Sequence, residues 1–266
     1  MPVIEVSDAA DPRLDDFRDL QDADARPDRR GVVIAEGVNV VERLIGSPYR
    51  VRAIFGVPAR LAALAPVLPE DVPAYAADKW LLSEVVGFRV TRGVLAAADR
   101  LAGPDVPALL ARSSRVAVLE SLNDFENLGA LFRNAAAFGL DAVLLDPQCA
   151  DPLYRRSVRV SMGHVLRVPF ARLPGQWPSS LRMVKDAGLN LLAMTPSGDL
   201  EVSSSELGSL LDNRGRRWAV LFGAEGPGLT AEAMAVADAR VRIPMAAGVD
   251  SLNVATAAAV AFSHLA

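Results

Sequence analysis

Glu225 is the one carboxylate within Leu221–Leu229, LFGAEGPGL, where an apolar run gives way to glycines. An acidic side chain at a strand end, hemmed by glycines, either meets a ligand or is tied down by backbone amides. Two other stretches place polar groups against apolar elements: Asn127 and Arg133 in ENLGALFRN, and Ser251 and Asn253 in VDSLNVATAAA. Arg133 follows Leu131 and Phe132, and a guanidinium beside a core needs an anionic partner. Glu225 and an external phosphate both qualify. The set comprises one acceptor, a hydroxyl, two amides and one permanent cation, which suits orienting a polar ligand and stabilising developing negative charge. A zinc site is not expected, because Cys149 is the single cysteine and His164 and His264 are far apart. No acidic cluster suggests a magnesium site.

Each of these residues also has a purely structural reading. Gly223–Gly228 fits a tight β-to-α turn; it is neither GxGxxG nor a Walker loop, since Pro227 interrupts it and no Lys-Ser/Thr follows. Ser251 and Asn253 precede an alanine-rich helical run, and Asn127 precedes Leu128–Phe138, so all three are candidate N-caps.

The elements that must position these residues alternate strand and helix. Val32–Ala35, Val51–Phe55 and Val94–Ala98 read as strands, with helices at Val38–Ile45, Ala59–Leu64 and Lys79–Val86. Val72–Tyr75 reads as a strand that Pro73 confines to a sheet edge. The acidic segment before Arg30 is expected to pack loosely. After Gly103-Pro104-Asp105 and a helix at Val106–Ala111, the pattern restarts. Val116–Leu119, Ala142–Leu145, Leu189–Met194, Trp218–Phe222 and Val241–Ile243 read as strands. A helix at Asn127–Phe138 closes at Gly139, Thr230 caps a short helix, and Asn253–His264 is the last helix. Strand-helix-strand order predicts a parallel sheet, and such sheets bind ligands beyond the carboxyl ends of their strands.

Composition narrows the class. The 266 residues are 51% hydrophobic and 23% charged, which reads as a soluble chain large enough for two domains. No apolar run reaches membrane-spanning length, the acidic opening MPVIEVSDAADPRLDD is not expected to act as a signal peptide, and one cysteine suits a reducing cytoplasm. The net charge of −4 argues against indiscriminate nucleic-acid binding but allows a local basic surface. Lys79 and Lys185 are the only lysines, so basic character comes from arginine.

Asn127–Arg133 within LESLNDFENLGALFRNAAAFG, then LFGAEGPGL, then RIPM with VDSLNVATAAA, resemble the three ordered motifs of the SpoU/TrmH branch of SPOUT methyltransferases. The likeness runs from about Val116 to the C-terminus, and DPLYRRSVRVSMGHVLRVPF resembles the stretch between the first two motifs. The resemblance implies an α/β fold: a SPOUT domain at 106–266 with a parallel sheet and a deep trefoil knot, and a smaller N-terminal α/β (L30e-like) RNA-substrate-binding domain at 1–105. It implies transfer of a methyl group from S-adenosylmethionine to a ribose 2′-OH of RNA, ribosomal RNA rather than tRNA, by a metal-free cytoplasmic homodimer.

By position, the resemblance assigns catalysis to Arg133, supported by Asn127, Glu225, Ser251 and Asn253. It places the cofactor against Leu221, Phe222, Gly223, Ile243, Met245 and Leu252, with Gly223 letting main chain approach the ligand. A guanidinium does not deprotonate in a protein, so Arg133 is expected to orient the ribose-phosphate and stabilise an alkoxide rather than act as base. Phe125 stands where relatives often have proline. Arg155, Arg156 and Arg159 form a basic cluster that reads either as an RNA-backbone contact or as a solvated face. The alternatives are a tRNA 2′-O-methyltransferase and a non-catalytic RNA-binding or ribosome-assembly protein on the same fold.

Overall fold

The computed structural model describes residues 3–20, 31–212 and 215–266. The chain forms two compact units, Met1–Ala102 with Asp151–Arg167, and Gly103–Ala150 with Val168–Ala266. Among the described residues no helix is long and apolar enough to cross a membrane.

In the first unit β1 (Val3–Glu5), β2 (Val32–Glu36), β3 (Val51–Gly56), β4 (Ala74–Ala76) and β5 (Val94–Asp99) form a sheet in the order β1-β4-β3-β5-β2. β5 is antiparallel to β2 and β3; the other neighbours are parallel. Helices Val38–Ile45, Pro58–Leu64 and Lys79–Val86 follow β2, β3 and β4.

Two expectations are corrected here. The N-terminal segment does not pack loosely over 3–20. β1 adds a strand to the sheet, and Leu14, Phe17 and Leu20 are buried, with Phe17 against Phe55 at 5.5 Å between ring centroids. Burying side chains of that size stabilises by about 1.5–3 kcal/mol each, which outweighs the local acidity of the segment. The rest of that segment, 21–30, lies outside the described residues. β4 is interior rather than an edge, because Pro73 precedes the strand and still contributes its carbonyl, which accepts from Ile54 N at 2.9 Å.

Asp151–Arg167 was expected with the C-terminal half and instead joins the first unit. Burial of Leu153, Val158, Val165 and Leu166 and a set of polar contacts hold it there. Glu36, at the end of β2, is 3% exposed and requires a cation, which Arg155 provides at 2.7 Å. Arg100 meets Asp151 with two bonds of 2.7 and 2.9 Å. Arg43 donates to the Met162 carbonyl.

In the second unit β6 (Arg115–Leu119), β7 (Ala142–Leu145), β8 (Phe170–Arg172), β9 (Asn190–Met194), β10 (Leu200–Glu201), β11 (Trp218–Phe222) and β12 (Ala239–Arg242) form a sheet in the order β10-β12-β9-β11-β6-β7-β8. All neighbours are parallel, as the strand-helix-strand pattern predicted. β11 is buried throughout, which explains its unbroken apolar run. β8, β10 and the helix Ser205–Asp212 carry too short or too mixed a pattern to be read from sequence. β12 ends one residue earlier than expected, since Arg242 closes its ladder and Ile243 already belongs to the following segment.

The helix Phe125–Ala137 buries Leu128, Leu131, Phe132 and Ala135 on one face and stops before Gly139, whose φ of 66° only glycine adopts without strain. The C-terminal helix Val254–Leu265 packs beside it. Asn134 Nδ2 donates to Ala255 O at 2.7 Å, and Phe262 stands edge-on to Phe222 at 5.7 Å. Trp218 Nε1 donates to Leu265 O at 3.1 Å and fixes the helix end. Cys149 is 4% exposed, and burial pushes its thiol up to about 12, so it offers no thiolate near neutrality.

Candidate functional site

β6, β11 and β12 are parallel members of one sheet, so the segments that follow them emerge at its carboxyl edge. The segment after β6 leads into the helix carrying Asn127 and Arg133. The segment after β11 carries Glu225. The segment after β12 carries Ser251 and Asn253.

Asn253 joins these segments. Its Oδ1 caps the C-terminal helix, accepting from Ala255 N at 3.0 Å and Thr256 N at 3.2 Å. With the carbonyl oxygen committed there, the amide nitrogen faces two oxygens, Asn127 Oδ1 at 2.7 Å and Glu225 Oε1 at 2.8 Å. Asn253 is therefore both the expected N-cap and the bridge between the other two motifs. The orientation propagates: among the described residues the Asn127 amide N–H groups and the second oxygen of Glu225 are left without a hydrogen-bond partner. The site so offers one neutral donor and one acceptor side by side.

Asn127 does not cap its own helix. Asp124 does, accepting from Glu126 N at 2.9 Å and Asn127 N at 2.8 Å, which leaves the Asn127 side chain available to Asn253. Arg133 is exposed and makes no hydrogen bond or ion pair among the described residues. Arg133 is not core-adjacent: Leu131 and Phe132 point inward while Arg133, on another side of the helix, reaches solvent, and of its two candidate partners Glu225 forms no ion pair with it. Ser251 is exposed and likewise forms no hydrogen bond among the described residues.

The fold itself requires glycine at position 223. A Cβ there would lie 2.2 Å from the Gly228 carbonyl carbon and 2.4 Å from Leu229 N, so the space belongs to the returning loop itself. The loop closes through Gly228 N to Ala224 O at 3.0 Å, with Glu225 at its exposed tip. Leu221 and Phe222 are buried at 0% and 3% and form its stem. Ile243 and Met245 are half-buried, and Leu252 is 39% exposed. Within residues 243–252 the only backbone hydrogen bond among the described residues runs from Val249 N to Ala246 O at 3.2 Å. Open amides and carbonyls beside part-exposed apolar side chains fit an adenosine-like ligand, which presents a flat apolar face and a hydrogen-bonding rim.

Of the three arginines, Arg155 is withdrawn from the RNA reading. Its guanidinium pairs with buried Glu36 and lies 4.1 Å from the Phe88 ring centroid. Arg156 is exposed and Arg159 half-buried, and neither forms an ion pair among the described residues.

Glu120 was not anticipated. It directly follows β6, is 2% exposed, and accepts from Trp177 Nε1 at 2.6 Å, Thr230 Oγ1 at 2.6 Å and Thr230 N at 2.9 Å. The available signal was an acidic residue directly after an apolar strand, without the flanking glycines that mark Glu225.

The match to known proteins covers these segments. Residues 114–263, more than half of the chain, match the SpoU rRNA Methylase family. The chain belongs to that family. A relative in Mycobacterium tuberculosis, named as an uncharacterized tRNA/rRNA methyltransferase, is 51% identical, the match covering 98% of this chain and 91% of that one. Among solved structures, the AdoMet-bound rRNA methyltransferase of Sinorhizobium meliloti superposes with a TM-score of 0.79 at 24% identity, covering 99% and 97% of the two chains. The SpoU methyltransferase AviRb of Streptomyces viridochromogenes superposes with a TM-score of 0.77 at 23% identity, covering 95% of each. This SpoU chain thus shares a fold with both over nearly its whole length.

Proposed function

We propose that this SpoU-family protein is an S-adenosylmethionine-dependent RNA 2′-O-methyltransferase acting on ribosomal RNA. The hydrogen-bonded set Asn127–Asn253–Glu225 carries the reading, because it brings three separated motifs to one sheet edge and still leaves a donor and an acceptor open. When bound, the cofactor supplies a sulfonium methyl for in-line displacement. Residues 223–229 and 243–252 hold it by backbone groups and by Ile243, Met245 and Leu252. Arg133, unpaired among the described residues, takes a substrate phosphate and stabilises charge building on the ribose oxygen. The hydroxyl proton leaves to a substrate phosphate or to water. The free oxygen of Glu225 and the amide of Asn127 orient the ribose, with Ser251 beside them.

Strand order supports the expected knot. The chain goes from β9 out to β10, back to β11 at the centre, and out again to β12 between β9 and β10, before 243–253 returns to meet Asn127. Val249 and Leu252, 48% and 39% exposed, are apolar surface for the cofactor and a second copy to cover in a cytoplasmic homodimer.

The N-terminal unit is read as an RNA-binding domain, with support from one edge of its sheet. Arg60 follows β3, Lys79 and Trp80 follow β4, and Arg92 precedes antiparallel β5, so all four share that edge. Trp80 is 74% exposed, and none of the three cations forms an ion pair among the described residues. Stacking a base on an aromatic ring is worth about 1–3 kcal/mol, so Trp80→Ala is expected to weaken filter-binding of labelled ribosomal RNA by about 5- to 150-fold with cofactor affinity unchanged. Wild-type RNA affinity in that variant would remove Trp80 from the interface.

The activity is tested with methyl-labelled cofactor and purified ribosomal RNA or tRNA. A 2′-O-methyl group blocks attack of the ribose oxygen on the adjacent phosphate, so label is expected in alkali-resistant dinucleotides from ribosomal RNA. Label in mononucleotides overturns the ribose assignment, label in tRNA alone selects the tRNA reading, and no label with intact RNA binding selects the non-catalytic one.

A further inference from the structure

Glu120 accepts three hydrogen bonds from uncharged donors and makes no ion pair among the described residues, although its side chain is almost completely buried. Burying a carboxylate in that way is costly unless every acceptor position is used, and such a network also fixes the groups that donate to it. The donors are informative. Glu120 N donates to Phe222 O at 2.9 Å, and Phe222 is the last residue before the glycine loop. The Glu120 carboxylate accepts from both the backbone N–H and the hydroxyl of Thr230, the first residue after Leu229. One residue therefore holds both ends of the 223–229 loop. Thr230 passes the constraint on: its hydroxyl accepts from Ala233 N at 3.2 Å and so starts the helix Ala231–Val236.

We propose that Glu120 is a positioning residue that clamps the two ends of the glycine loop, holding Glu225 in reach of Asn253 and the loop backbone in place for S-adenosylmethionine. The proposal rests on the cofactor reading above for its second half only. The loop is otherwise held by the Glu225–Asn253 bond at its tip and by Leu229, which packs against the core. Within residues 223–229 the closing bond between Gly228 and Ala224 is internal, and Gly226 and Gly228 add conformational freedom rather than restraint. Trp177, the third donor, lies outside the loop and serves as an internal control.

Glu120→Gln keeps the size but places an amide N–H₂ against a donor, either Thr230 N–H or the indole and hydroxyl pair. Trp177→Phe removes one donor and leaves both loop-end contacts. Hydrogen exchange of residues 223–229, followed by mass spectrometry on the full chain without cofactor, is expected to accelerate at least tenfold in Glu120→Gln and to stay within twofold of wild type in Trp177→Phe. Calorimetric titration with S-adenosylmethionine is expected to show a Kd at least tenfold higher in Glu120→Gln and unchanged in Trp177→Phe. A purely structural carboxylate would lower Tm in both variants without this split. Wild-type exchange of the loop in Glu120→Gln overturns the clamp. Accelerated exchange in a protein whose wild type binds no cofactor leaves the clamp standing and refutes the cofactor reading. Should Glu120→Gln not fold, Thr230→Val decides: it retains the N–H bond, loses the hydroxyl bond, and must accelerate loop exchange at least threefold or the clamp is rejected.

Discussion

Asn253→Asp is expected to lower methyl transfer by a factor on the order of 10²–10³ while leaving the C-terminal helix intact, the scale of losing a preorganised polar contact at a reacting centre. The substitution separates the two jobs of one side chain. Aspartate retains an oxygen for Ala255 N and Thr256 N and is as good a cap as asparagine. It has no N–H to offer Asn127 Oδ1 or Glu225 Oε1, and it sets a second carboxylate at the 2.8 Å position now occupied by a donor. Repulsion pushes the Glu225 loop away from the segment after β12. Asn253→Ala makes the complementary test: it abolishes the bridge without adding charge, and loses the cap at a cost of about 1 kcal/mol. Single-turnover methylation and thermal melting of both variants separate the effects. A rate near wild type in Asn253→Asp, with the helix intact, refutes the bridging role.

Arg133→Ala is expected to reduce the single-turnover rate by about 10²- to 10⁴-fold with cofactor affinity within twofold of wild type. The expected split comes from the environment of the side chain. Arg133 is exposed and bonded to nothing among the described residues, so its removal leaves no orphaned partner and costs little stability. Its guanidinium stays charged throughout the working pH range, which suits holding a phosphate and does not suit accepting a proton. Arg133→Lys preserves the charge and loses the planar fork, so a partial rate, between those of alanine and wild type, is expected. Rapid-quench methylation alongside calorimetric cofactor titration measures both quantities. Full activity in Arg133→Ala eliminates the assigned role.

Local pattern made much of the fold readable. Continuous apolar runs such as Trp218–Phe222 announced strands buried on both faces, and the periodicity after Asn127 announced a helix that Gly139 would end. Errors arose where a distant partner decided the outcome. Pro73 looked like an edge marker because proline lacks a donor, yet it falls just outside β4 and its carbonyl completes the ladder with β3. The acidic N-terminal stretch looked unable to pack, but Leu14, Phe17 and Leu20 are spaced to enter a core that only the assembled sheet creates. Asp151–Arg167 lies within the C-terminal half by order, yet it buries Leu153, Val158, Val165 and Leu166 and pairs Arg155 with Glu36 in the other unit.

The site divides in the same way. Residue types, spacing and three ordered motifs were sufficient to single out Asn127, Arg133, Glu225 and Asn253, because polar groups at the ends of apolar elements are marked by their own immediate neighbours. Tertiary structure alone decided which of them touch. Asn253 meets Asn127 across 126 positions of chain and Glu225 across 28, whereas Arg133 stays apart, and nothing local to any of these residues carries that information. Gly223 was recognisable as a special position, but that the returning loop fills its missing side chain depended on where Gly228 folds back. Glu120 escaped notice because a buried carboxylate is defined by its donors, and its donors come from segments about 57 and 110 residues away.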